Sequence, residues 1–311
     1  MTTQVQNIMN GNGTKTARII ALLELGLTRR EIAELGVLGA YGAVQNVFAK
    51  WQLGRGVTTS TQLLFSPAAF NKRFGIEIEA FGIDRSTVAQ ALRQAGINCN
   101  AEGYNHDTRA AWKVVTDISI SGDNSFELVS PILEGADGLA QLRTVSDVLT
   151  RLGAQINVSC GLHVHFDAAN MDLTNWKNLI KNYAALEGTI DTMMPRSRRG
   201  DSSYYCRSMK ITNLNAKIEA ARTLDQVRNV FGGRYFKVNT QAFSRHRTIE
   251  FRQHSGTFEA AKIENWVVFL HNLVDYSKAH TITTDGFDEV KKFTTVENAA
   301  FYHQRIQDLN A

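Results

Sequence analysis

Apolar and polar positions alternate in four short stretches after residue 70, and the polar members are charged. In "FGIEIEA", Phe74 to Ala80, an apolar run carries Glu77 and Glu79. Successive side chains of a strand point to opposite faces, so those two acids share one face. "WKVVTDISISGDNSFELVSP", Trp112 to Pro131, reads as a hairpin turning at Gly122-Asp123-Asn124, with Asp117 on one arm and Glu127 on the other. "CGLHVHFD", Cys160 to Asp167, places His163 and His165 on one face. "RTIEFRQHSGT", Arg247 to Thr257, places Glu250, Arg252 and His254 on one face. A single charged face on a strand is commonly just solvated. Four in one chain predict a shared polar cavity on one side of a sheet.

Before residue 60 the period becomes helical. Ile19, Leu22 and Leu23 form a stripe that Gly26 can end. Thr28 and Glu31 have capping-box spacing, and Ile32 and Leu35 continue that helix. Val44, Val47, Phe48 and Trp51 give a third apolar face. The pattern predicts a small all-α module over residues 1–58, a linker over 59–70 and a main domain over 71–311. The module resembles the helix-turn-helix family, with a candidate recognition helix from Ala40 to Lys50. That resemblance implies DNA binding. Lys15, Arg18, Arg29, Arg30 and Lys50 would meet phosphates, and Tyr41, Gln45 and Asn46 base edges. A three-helix adaptor for protein is the other reading of the same pattern.

Composition narrows the class. Of 311 residues, 43% are hydrophobic and 21% charged, as in ordinary globular chains. No apolar run is long enough to span a bilayer, and the first residues lack a signal-peptide pattern, so no membrane partner is expected. Cys99, Cys160 and Cys206 are odd in number and without metal-ligand spacing, which predicts a reduced, cytoplasmic setting. Cys160 reads as a small buried hydrophobe rather than a nucleophile. Residues 1–60 carry six Lys/Arg and three Asp/Glu, so most of the net charge of +4 lies there.

The charged strand faces carry candidate chemistry. Paired carboxylates repel unless a cation lies between them, and an oxygen-rich set suits Mg²⁺ or Mn²⁺. An arginine beside them suits phosphate, and a histidine can bond a phosphoryl oxygen or move a proton. One alternative is a zinc hydrolase using His163 and His165. It needs further ligands, and the other six histidines show no zinc spacing. Another is a helix-turn-helix DNA-binding protein with a non-catalytic binding domain. A cysteine hydrolase at Cys160 is a third.

The order of the motifs resembles the amidoligase family, carboxylate–amine ligases with the glutamine synthetase and glutamate–cysteine ligase catalytic fold. The motifs are Glu-x-Glu, a strand glutamate before Ser-Pro, Gly-Leu-His-Val-His, "RYFKVN" from Arg234 to Asn239, and Thr-Ile-Glu-Phe-Arg. The match covers about residues 70–280. The resemblance implies an α+β fold, with a curved antiparallel sheet flanked by helices, and a phage or bacterial source. It implies ATP and Mg²⁺ or Mn²⁺ as cofactors and an acyl phosphate intermediate. It implies Glu77, Glu79, Glu127 and Glu250 as metal ligands and Arg252 on phosphate. His163 and His165 would lie near the phosphates, and Arg198 or Arg199 could join them. Arg234, Asn239 and Asp117 would lie around the acceptor or the phosphates. The substrates implied are a carboxylate and an amine, drawn from peptides, amino acids, polyamines or modified bases.

Overall fold

The computed structural model describes residues 3–36, 38, 43–44, 47–48, 51, 70–105 and 107–310. The chain divides into two units, residues 1–62 and 63–311. The expected linker lies outside the described residues, apart from Phe70.

In the front unit, helices span Thr3–Asn10, Lys15–Glu24 and Arg29–Glu34. Thr28 and Glu31 form the expected capping box, each side chain bonding the other's backbone amide. The second helix ends before Gly26, whose φ of +87° suits a residue without a Cβ. Val5, Ile19, Leu22, Ile32, Val44 and Phe48 are buried together. Of the candidate recognition helix, Tyr41, Gln45, Asn46 and Lys50 lie outside the described residues. Arg29 departs from its expected role. It is buried with its guanidinium over the Phe48 ring, because cation–π packing there replaces exposure to a phosphate. Arg18 bonds the Met9 carbonyl.

The larger unit is built on one open sheet flanked by helices. Its strands are β1 (Arg73–Ala80), β2 (Cys99–Ala101), β3 (Trp112–Val115), β4 (Phe126–Val129), β5 (Leu133–Glu134), β6 (Gly161–Asp167), β7 (Val238–Asn239) and β8 (Thr248–Ser255). The order is β2-β3-β4-β1-β6-β8-β7, with β5 also on β1. The pairing is antiparallel as expected, except that β2 runs parallel to β3 at the edge.

Alternation decides which face is buried. Phe74, Ile76 and Ile78 of β1, Leu128 of β4, Leu162, Val164 and Phe166 of β6, and Ile249 and Phe251 of β8 enter one core. They pack there with apolar residues of the helices Gly135–Leu152, Leu173–Thr192 and Ala260–Ser277. Each such large side chain contributes about 1.5–3 kcal/mol of transfer free energy. The same alternation leaves Glu77, Glu79, Glu127, His163, His165 and Glu250 on the opposite face.

β8 breaks its own alternation. Phe251 pairs with Val164, but His254 pairs with Leu162, so β8 spends three steps where β6 spends two. This bulge keeps Arg252 on the polar face and turns His254 to the core face, with its ring 5.6 Å from Trp266. His254 therefore does not share a face with Glu250 and Arg252, as simple alternation predicts. Burial holds its imidazole well below the usual range.

Candidate active site

Three rows of residues cross the polar face. In the first, Glu127 of β4 stands opposite Glu79 of β1. In the second, Glu77 stands between Val129 and His163. In the third, Gly75, His165, Glu250 and Asn239 follow one another across β1, β6, β8 and β7. Like charges directly opposite one another are destabilising in a sheet. Here four glutamates converge on two imidazoles.

His163 sits among the acids. Its Nδ1 lies 2.9 Å from Glu77 Oε2 and 3.6 Å from Glu250 Oε1, and its Nε2 lies 3.5 Å from Glu79 Oε1. Two groups have ligand atoms within 4.8 Å of one another: Glu77, His163 and Glu250, and Glu79, Glu127 and His163. His163 belongs to both. His163 thus lies where it could serve as a ligand beside the four acids.

Each side chain is held by its neighbours. Gly161 donates its amide to Glu79 Oε2 at 2.5 Å. A Cβ at Gly161 would stand 2.9 Å from His163 Nε2, so only glycine lets this backbone approach. Glu250 is bonded by Asn239 Nδ2 at Oε2, 2.6 Å away, and by Arg252 at Oε1. His165 Nδ1 meets the Thr248 hydroxyl at 3.0 Å. Its buried Nε2 makes no hydrogen bond and lies 3.3 Å from Glu77 Oε1.

Electrostatics follow this crowding. Burial, reinforced by the charges of Glu77 and Glu79, raises the Glu127 carboxyl well above the usual range. Burial would also raise Glu77, but His165 and His163 outweigh it and hold that carboxyl well below its ordinary value. Glu250 is likewise lowered, its burial outweighed by Arg252 and His165. His165 is raised, because Glu77 and Glu250 overcome the burial that opposes its charge. Carboxylates crowded together in this way could hold a divalent cation, whose charge offsets their mutual repulsion.

This cluster floors a cleft of about 1030 Å³. Asp117, Arg198, Arg234, Asn239 and Arg252 also line it. Arg198 turns inward and bonds the carbonyl of Cys160, with its Nε buried and without a partner. Arg199 turns away, toward Met194 and Asn310. Arg234 stays exposed on the rim, its guanidinium over Tyr235. Asp117 lies in the loop after β3 rather than on the hairpin arm, where it caps the Ser119 amide.

A second cavity of about 350 Å³ adjoins the cleft and shares Glu77, Glu127, His165 and His246 with it. The sequence reading missed two residues here. Lys113 is buried on β3 and donates to Asn105 Oδ1 and the Asp107 carbonyl, both at 2.7 Å. Its signal was a lysine inside the apolar run "WKVV". His246 closes the helix Ala242–His246 and carried no motif.

Among the described residues, no helix is long and apolar enough to cross a membrane. Cys99, Cys160 and Cys206 are free and buried. No curated protein matches the chain. A family model described as "Putative amidoligase enzyme" matches residues 71–274, the segment that runs from β1 into the helix after β8. The match takes in every strand of the sheet, and the chain belongs to the amidoligase family.

Proposed function

We propose that the protein is an ATP-dependent carboxylate–amine ligase with a glutamine synthetase-like catalytic domain. The observation that carries this reading is the pair of overlapping ligand groups on the floor of a cleft lined by arginines. Glu77, Glu79, Glu127 and Glu250, with His163 between them, would hold Mg²⁺ or Mn²⁺. The ions' contribution when bound is to offset charge on the phosphates.

The chemistry assigns work to the remaining residues. A carboxylate does not react with an amine at neutral pH, because oxide is a poor leaving group. An oxygen of the carboxylate attacks the γ-phosphorus, the bond to the bridging oxygen breaks, and ADP leaves. Arg252 and Arg198 orient and neutralise the transferring group with planar, charge-assisted donors. The amine then attacks the acyl carbon, and phosphate leaves with the carboxylate oxygen. His165 would take the proton from the amine: Thr248 fixes its Nδ1 side, and Glu77, 3.3 Å from its Nε2, strengthens it as a base.

The front unit reads as a helix-turn-helix that brings the ligase to DNA. Lys15 and Arg30 are its exposed cations among the described residues.

The test is ADP release with Mg²⁺ across a panel of amino acids, peptides and amines, followed by the mass of the product. The expected result is ADP formed one-to-one with a new amide, seen as a mass equal to the two substrates less one water. ADP without any coupled product, or hydrolysis that zinc supports without ATP, overturns the reading.

A further inference from the structure

Large exposed aromatic side chains occur singly on most protein surfaces, and a contiguous group of them marks a binding site. Here three tyrosines converge at the wall of the large cleft. Ring centroids are 5.4 Å apart for Tyr204 and Tyr205, 5.3 Å for Tyr204 and Tyr235, and 5.2 Å for Tyr205 and Tyr235, and the Tyr205 ring stands edge-on to the other two, at 83° and 84°. All three line the cleft, together with Arg198, Arg234 and Arg252. Tyr204 is 66% exposed and Tyr205 44%.

The exposure is not looseness. The two segments that carry the tyrosines are hydrogen-bonded side by side, Arg207 N to the Tyr235 carbonyl and Lys237 N to the Arg207 carbonyl, both at 2.9 Å. Beneath them the fully buried Lys237 ammonium pairs with Glu187 at 2.8 Å and Asp191 at 2.6 Å. The Arg234 guanidinium lies 5.1 Å from the Tyr235 ring centre and bonds its hydroxyl. An ordered platform loses little entropy when a flat ligand settles on it.

The platform is also tied to the polar floor. Arg252 Nε donates to the Tyr205 carbonyl while its Nη1 holds Glu250. A molecule spanning both regions needs a flat π-face at one end and several negative charges at the other. A nucleoside triphosphate has that shape of chemistry.

We infer that the base of the nucleotide stacks on the exposed ring of Tyr204, with Tyr205 and Tyr235 backing it as the rest of the platform. This rests on the nucleotide-using reading above and goes beyond it in assigning the base. An aromatic side chain of a peptide is the competing occupant. It would leave the arginines beside the platform without a triphosphate to meet.

The experiment titrates the full-length chain calorimetrically with MgATP and with magnesium tripolyphosphate, which carries the phosphates and no base. The wild-type chain is expected to prefer ATP. A Tyr204→Ala/Tyr205→Ala double variant should weaken ATP binding by about tenfold or more and leave tripolyphosphate binding unchanged. That unchanged affinity also reports an intact fold, and a Tyr204→Phe/Tyr205→Phe variant should keep the preference. If the alanine variant still prefers ATP, the base sits elsewhere and the ligase reading stands. Equal wild-type affinity for the two probes overturns the platform in the same way. If neither probe binds, the nucleotide reading itself fails and the platform with it.

Discussion

Asn239 donates its side-chain amide to Glu250 Oε2 at 2.6 Å, across the last strand pair of the sheet. The motif order had suggested a residue near the acceptor or the phosphates. The bond makes Asn239 the group that aims a candidate metal ligand. Its side-chain oxygen, Oδ1, accepts from the Gln241 backbone amide at 2.9 Å, which fixes the orientation of the side chain. Asn239→Ala is expected to weaken Mn²⁺ binding by about tenfold to a hundredfold, as for partners that orient ligands elsewhere. Calorimetric Mn²⁺ titration beside a thermal melt checks this. Unchanged affinity in a folded variant returns Asn239 to the substrate.

Arg252 touches Glu250 and the Tyr205 carbonyl, so a structural ion pair is the simpler reading of its contacts. An ion pair tolerates lysine, whereas a bidentate phosphate contact does not. Arg252→Lys should therefore melt near the wild-type temperature and lose at least about tenfold to a hundredfold in kcat/KM for ATP. Near-normal turnover would make the residue structural.

The pH dependence follows from Glu127. Its folded-state pKa is raised by burial and by Glu77 and Glu79. Its contribution to stability is thus fully present below the unfolded carboxylate value of about 4.3 and is lost as pH rises through the folded value. A cation bound there displaces the proton, so the gain in Tm on adding Mg²⁺ should grow as the pH rises above the ordinary carboxylate range. Glu127→Gln should flatten that trend. A Tm gain that is independent of pH would contradict the assignment.

Cys160 is tied in through its backbone, and its buried thiol donates to Asn157 Oδ1 at 3.8 Å. Its carbonyl accepts from Arg198 and from the Gly256 amide, the latter at 2.7 Å. Burial raises the thiol above its ordinary value, which disfavours the thiolate. A Cβ on Gly256 would stand 2.5 Å from the Cys160 Cβ, so the site is tightly packed. Cys160→Ala should cost about 1 kcal/mol of stability and leave turnover intact. Full loss of turnover in a folded variant would favour cysteine chemistry.

Local pattern carried much of this site. Glu77 and Glu79 had to share a face once the run became a strand, and His163 and His165 likewise. Alternation could not show the extra residue in β8, because a bulge depends on pairing with β6; His254 was misplaced for that reason. Nor could spacing show that Asn239 meets Glu250, since that contact needs β7 to close the sheet beside β8. Lys113 escaped notice because its partners, Asn105 and Asp107, lie in a loop whose course no short motif dictates. In the front unit the capping box and the buried stripe were legible, but the inward turn of Arg29 depends on Phe48, nineteen positions away in the sequence.

The central claim is that the facing acids hold divalent cations. Its most direct measurement is a count of Mn²⁺ bound per chain by electron paramagnetic resonance, with wild-type protein beside Glu79→Gln and Glu250→Gln. The account predicts up to two bound ions, one for each ligand group, with folded variants that lose binding at the group they belong to. No bound Mn²⁺, binding unaffected by either substitution, or tightly held zinc that supports turnover would contradict it.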